Sequence, residues 1–191
     1  TYFLCVSTHE ERKNLDTLAR AYVELVENWR LRGEPPSMVF VGRTTTYTGV
    51  LQRHLAASPS AARGTHFIEF VSDRALAALY RGATALLLSS LCEGFGFPLV
   101  EATASGTPAL VSDLPVFHEL VGSAATYVPA QDVAGWAATM LQTVLDARDS
   151  AREQAPSVFA SDLSWANSAR QTLEVLENVA RRRRGTSRSS G

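Results

Sequence analysis

The stretch ATALLLSSLCEGFGFPLVEATASGTPALVS, Ala83–Ser112, decides the fold. Ala83–Ser89 is a short apolar run ending in serine, and Pro108–Ser112 is another. Both read as buried strands. Between them Pro98 opens a short helix, and Gly106 and Pro108 close it, the proline-first, glycine-last asymmetry of helices. A strand, loop, helix and second buried strand make one unit of a parallel sheet. Glu93 and Glu101 stand at either end of a run of glycine, phenylalanine and proline, and that placement raises the functional question.

The same alternation extends outward along the chain. Tyr2–Ser7 reads as a first strand. After a polar loop, Leu15, Leu18, Ala19, Tyr22, Leu25, Val26 and Trp29 recur at helical spacing, and that helix ends near Gly33, before Pro35 and Pro36. Met38–Gly42 is a second strand, followed by a weaker helix around Val50–Ala57 and a loop with Pro59 and Gly64. His66–Phe70 is a third strand, with Ser72 or Asp73 capping a helix to Arg81. Ala125–Val128 is a sixth strand, followed by a helix at Val133–Ala147. A last helix, starting in the segment DLSW, is expected to pack along the edge. The predicted fold class is α/β, a doubly wound Rossmann-like parallel sheet of about six strands. In the order 3-2-1-4-5-6 the loops after the first and fourth strands face each other at the switch point, where such sheets bind ligands.

The composition is that of a soluble globular domain, with 46% apolar and 19% charged residues. The formal charge of −1 hides a division. Arg181, Arg182, Arg183, Arg184 and Arg188 lie in a tail with no acid, leaving thirteen basic residues against nineteen acidic ones in the body. An acidic body argues against nucleic-acid binding. The domain is expected to span 1–180, and 181–191 to be a solvated, disordered basic tail, a candidate for peripheral contact with anionic lipid. No apolar run reaches the ~20 residues that cross a bilayer. Thr1 leads straight into an apolar strand, which suggests a piece of a longer chain. Cys5 and Cys92 have no metal-type spacing and read as reduced thiols, as in the cytoplasm. Lys13 is the single lysine beside seventeen arginines. An arginine-rich composition accounts for that as well as a need for a compact ammonium does.

The loops suggest phosphate and sugar chemistry. With Pro98 at the first helical position, the amides of Leu99 and Val100 would lack helical partners and, with the helix dipole, attract an anion. Gly94 and Gly96 let a ligand approach the backbone, where their amides and that of Phe95 can donate. A carboxylate suits a diol, so Glu93 and Glu101 could hold the two ends of a polyhydroxylated phosphate ligand. Arg12 and Lys13 could reach the same phosphate from the other loop. Two carboxylates could also cleave a glycosidic bond, but a glycosidase needs them on either side of it, not at opposite ends of one strand–helix connection.

Several segments carry a family resemblance. CEGFGFPLVEATASGTPALVSD resembles the glutamate–seven–glutamate motif of the retaining family 4 glycosyltransferases, which have the GT-B fold. VSTHEERKNLDTLARAY, FVSDRALAALYRGATALLLSSLCEGFGFPLVEA and FASDLSWANSARQTLEVLE are similar to the same family, in the same order, from about Tyr2 to Val179. The resemblance covers the carboxyl-terminal, donor-binding domain, and implies that the amino-terminal domain, which mainly binds acceptor, is not part of this chain. It implies that Arg12 and Lys13 hold the donor diphosphate, and that Glu93 with the backbone of Gly94, Phe95, Gly96 and Phe97 holds the donor sugar. Leu99 and Val100 would offer amides to the distal phosphate, Glu101 would bind the ribose, and the Phe70–Val71–Ser72 loop would lie near the base.

The resemblance also places Thr8 and Val71 in the donor-binding set. Ser7 and Thr8 stand where the family often has glycine followed by arginine or threonine, and an arginine there helps hold phosphate. Ser89 replaces a usual proline, and His118 is assigned no role. The implied reaction is metal-independent transfer from a nucleotide-diphosphate sugar, with GDP-mannose favoured over a UDP-sugar, to a glycan or lipid-linked acceptor. No cofactor is implied. No Asp-x-Asp pair occurs in the sequence, so Lys13, Arg12 and the helix start would stabilise the leaving diphosphate. Glu93 would orient the sugar rather than attack it. The competing readings are a non-catalytic nucleotide or sugar-phosphate binding module and a nucleotide-sugar epimerase of the same fold. The expected location is cytoplasmic, with the inner face of the plasma membrane as a peripheral site.

Overall fold

The computed structural model describes residues 1–149 and 164–186. Six parallel strands form one sheet: β1 (Tyr2–Val6), β2 (Ser37–Val41), β3 (Thr65–Ile68), β4 (Ala85–Leu88), β5 (Ala109–Ser112) and β6 (Thr126–Val128). Their order is β3-β2-β1-β4-β5-β6, so the expected doubly wound α/β class is borne out, with its switch point between β1 and β4. The crossovers are α1 (Leu15–Glu27), α2 (Thr48–Leu55), α3 (Pro59–Arg63), α4 (Asp73–Gly82), α5 (Phe97–Ala104) and α6 (Pro115–Val121), and α7 (Val133–Asp149) follows β6.

The near-continuous apolar strands are explained by burial on both faces. Alternate side chains go to opposite sides. Phe3, Cys5, Met38, Phe40, Leu87 and Leu110 pack with α1, α2 and α7, whereas Leu4, Val39, Val41, Leu86, Leu88 and Val111 pack with α4, α5 and α6. Each fully buried leucine or phenylalanine contributes about 1.5–3 kcal/mol. Burial also pushes the Cys5 thiol well above its ordinary pKa, which makes it an inert core group.

Two elements differ from the expected reading, and one open choice of cap is decided. Helix α1 ends at Glu27, because Asn28 caps it before the turn to Gly33. The loop at Pro59 is a short helix, since the Ser58 hydroxyl accepts from the Ala61 amide and proline fits the first turn. Ser72 is the cap of α4, accepting from the Ala75 amide.

The chain divides into two compact units, Thr1–Ser157 and Val158–Gly191. In the second, helix α8 (Trp165–Thr186) starts at Ser164, whose hydroxyl accepts from the Asn167 amide. It continues through Arg181–Arg184, so the first part of the basic segment is helical rather than irregular. The start of the segment DLSW and the tail residues 187–191 lie outside the described residues. No described helix is long and apolar enough to cross a membrane.

Candidate donor-binding site

The loop after β1 is pressed against β2. The Ser7 amide donates to Val41 O and the His9 amide to Arg43 O. A Cβ on Gly42 would lie 2.0 Å from Ser7 O, and its φ is +143°, so only glycine lets the loop pass. Thr8 is half-buried, and its carbonyl accepts from the Glu10 amide at 2.9 Å. A 3-10 turn at Glu11–Lys13 then aims Arg12 and Lys13 across the switch point.

Lys13 meets Glu93 there. Lys13 Nζ lies 2.5 Å from Glu93 Oε1, with only 11% and 9% of the two side chains exposed. Ser90 Oγ donates to the same oxygen at 2.7 Å, and Arg12 Nη1 lies 3.5 Å from Oε2. Arg12 is half exposed and also pairs with Glu10 at 3.0 Å. The structure thus brings Lys13, Arg12 and Glu93 into one cluster. The main chains are joined too, since the Leu91 amide donates to Arg12 O at 2.9 Å.

Immediately after Glu93 the chain presents free donors. The amides of Gly94, Phe95, Gly96 and Phe97 make no hydrogen bond among the described residues. Gly94 has open space around it. Gly96 takes φ +105°, and a Cβ on it would lie 2.7 Å from Phe117 Cε1. The Phe95 and Phe97 rings pack at 4.9 Å, and Phe97 is mostly exposed.

The expectation for Leu99 and Val100 needs correction. Pro98 is the second helical residue, not the first, because Gly96 is the cap and Phe97 opens the helix. Leu99 N therefore donates to Gly96 O at 2.9 Å, and Val100 N reaches the same oxygen at 3.4 Å. The unpartnered amides lie upstream, at Gly94–Phe97.

Glu101, one turn into α5, accepts at Oε2 from the Tyr80 hydroxyl at 2.8 Å, which leaves Oε1 without a bond among the described residues. Burial, and then that bond, push the Tyr80 hydroxyl far above its ordinary pKa, so it stays a donor. The carboxylate borders a groove of about 290 Å³ between α4 and α5. Val71 is half-buried against the α4–α6 core, and Phe70 before it is 85% exposed.

Sequence reading missed three partners: Tyr80 on Glu101, Ser90 on Glu93, and buried Asn14 behind Lys13. Their signals are weak, being a tyrosine in a helical stripe, a serine in a loop and an asparagine before a helix. Among the described residues no group of three or more His, Cys, Asp or Glu side chains could hold a metal ion.

Comparison with known proteins shows the family and the fold. The family profile described as "Glycosyl transferases group 1" matches residues 1–157. The chain is 35% identical over 135 residues to the O-antigen chain mannosyltransferase RfbU of Salmonella typhimurium, covering 71% of this chain and 36% of that protein. It is 31% identical over 184 residues to O-antigen chain mannosyltransferase B of Escherichia coli, covering 92% of this chain and 45% of that protein. The chain thus spans less than half the length of these relatives. Two solved structures share the fold, each with a TM-score of 0.76. One is an α,α-trehalose-phosphate synthase (UDP-forming) from Burkholderia vietnamiensis, 16% identical, matched over 94% of this chain and 45% of that one. The other is Anabaena Alr3699/HepE in complex with UDP and glucose, 17% identical, matched over 93% and 48%.

Proposed function

The chain belongs to the group 1 glycosyl transferases, and on that premise we propose that it is the donor-binding half of a retaining family 4 enzyme that transfers a hexose from a nucleotide-diphosphate sugar, with GDP-mannose as the favoured donor. The observation that carries the reading is the meeting of Lys13 with Glu93 beside four unpartnered amides. Lys13 and Arg12 face the diphosphate. As the sugar–phosphate bond breaks, charge grows on the leaving diphosphate, and a preorganised ammonium beside amide donors stabilises it without a metal. Glu93, held by Ser90 and Lys13, orients the sugar hydroxyls. Glu101 Oε1 accepts from the ribose while Tyr80 fixes the other oxygen.

Mannose as the sugar is supported by the names of the O-antigen relatives. A glycan or lipid-linked acceptor would be bound by a further amino-terminal domain. Closure of the two domains would supply orientation and exclude water, so this chain alone should bind donor and transfer poorly.

The test is calorimetry of this chain with GDP, UDP and ADP, followed by transfer assays with the acceptor-binding domain joined. GDP binding together with mannosyl transfer from GDP-mannose is the expected result. There Lys13→Ala should lower turnover ~100-fold or more, the loss of one preorganised donor. Binding without turnover in the joined protein would support a binding module instead. Failure to bind any of the three nucleotides would refute the reading.

A further inference from the structure

Asn14 is the one described non-glycine residue with a positive φ, at φ 52° and ψ 35°. Asparagine visits this left-handed region at lower cost than most residues. The residue ends the turn that carries Lys13 and starts α1. Its side chain is buried, and every polar group on it is used. Nδ2 donates to Ser89 O at 3.0 Å and to Ala130 O at 2.7 Å, while Oδ1 accepts from Thr17 Oγ1 at 2.9 Å. Ser89 belongs to the loop after β4 and Ala130 to the loop after β6. One carboxamide on the loop after β1 therefore ties together three loops at the carboxyl edge of the sheet. Aspartate at this position could not donate, and serine could donate only once.

The grip is returned. The Ser89 hydroxyl is shared between Lys13 O at 3.0 Å and Asn14 O at 2.9 Å. Lys13 N donates to Glu10 O at 3.0 Å, and Arg12 O accepts from Leu91 N. The backbone of Lys13 is held before and after its Cα, so only the side-chain torsions remain free. A lysine on a mobile loop would lose far more freedom on binding phosphate. Misplacing a group by ~1 Å can cost about 100-fold.

We propose that Asn14 is a positioning residue for the donor diphosphate. It acts through Lys13, by locking the loops after β1, β4 and β6 into one frame so that the ammonium stands opposite Glu93. The proposal rests on the reading that Lys13 holds the diphosphate.

The test is a double-mutant cycle, reading GDP affinity of this chain by calorimetry for wild type, Asn14→Gly, Lys13→Ala and the double variant. Glycine keeps the left-handed turn and removes only the carboxamide. Asn14→Gly is expected to weaken GDP binding about tenfold or more, yet to add less than about threefold once Lys13 is already alanine. A role confined to stability would not produce that coupling. Ser89→Ala, which removes the return grip without changing the turn, should show the same coupling and carries the cycle if Asn14→Gly does not fold. Losses that multiply in the double variant, or wild-type affinity in the variant that carries the cycle, overturn the proposal. If wild type binds none of GDP, UDP and ADP, the donor reading itself fails and the positioning role falls with it.

Discussion

Lys13 Nζ and Glu93 Oε1 stand 2.5 Å apart across the switch point, on loops eighty residues apart in the chain. Each side chain is about nine-tenths covered, so each ion depends on the other to offset its lost hydration. The ammonium has three protons and Glu93 takes one of them. Two of its protons are then left for a further anion, which on the proposed reading is the donor diphosphate.

This coupling predicts a stability pattern. Glu93→Ala should destabilise the chain by about 3–5 kcal/mol, because it strands a buried ammonium. Lys13→Met together with Glu93→Leu should recover most of that loss, since it removes both charges and keeps the volume. Urea unfolding midpoints of the wild type, Glu93→Ala and the double variant read this directly. A double variant no more stable than Glu93→Ala would show that the pair is not the source of the loss.

Tyr80→Phe separates the two oxygens of Glu101. The ring stays in the core and the hydroxyl bond at 2.8 Å is lost. Stability should fall by about 0.5–1.5 kcal/mol, the net worth of a hydrogen bond whose carboxylate partner stays exposed to water. GDP affinity should fall several-fold as the carboxylate loses its anchor. Thermal melts and calorimetry on the same samples check both, and an unchanged GDP affinity would remove Tyr80 from the site.

Three glycines around the site should rank by geometry. Gly42→Ala places a Cβ 2.0 Å from a backbone oxygen, and Gly96→Ala places one 2.7 Å from the Phe117 ring, both at positive φ. Each should cost at least about 1–3 kcal/mol. Gly94→Ala meets nothing within 4 Å and should melt as wild type does. A Gly94→Ala melting temperature as low as that of Gly96→Ala would contradict the ranking.

Much of this was legible in the chain. The strand order follows from apolar runs alternating with amphipathic helices, and the proximity of Lys13 to Glu93 follows from that order. Helix α5 starts at Phe97, one residue before the expected Pro98, because proline fits the second helical position as well as the first, and only the conformation of Gly96 decides between them. That single residue moved the free amides from Leu99 and Val100 to Gly94–Phe97. Asn14 and Tyr80 stayed hidden because their roles depend on partners 75 or more and 21 residues away, which no local pattern encodes.

A last prediction concerns acid stability and comes from His9, which is 1% exposed and stands edge-on to Phe40 and Phe67 at centroid distances of 6.0 and 5.6 Å. Nδ1 pairs with Thr48 Oγ1 at 3.0 Å, and Nε2 has no partner among the described residues. Burial lowers the His9 pKa below the ordinary histidine value of 6.5, and the nearby Glu69 charge only partly opposes it. The folded state therefore holds the proton less readily than the unfolded state does. The contribution to stability is complete above pH 6.5 and is lost as pH falls through the lowered value. In His9→Phe the ring can remain between Phe40 and Phe67 without a titrating group, so the decline on acidification should be shallower than in wild type. Unfolding free energies measured by urea titration between pH 8 and pH 5 give the two slopes, and equal slopes would remove His9 as the source of the acid sensitivity.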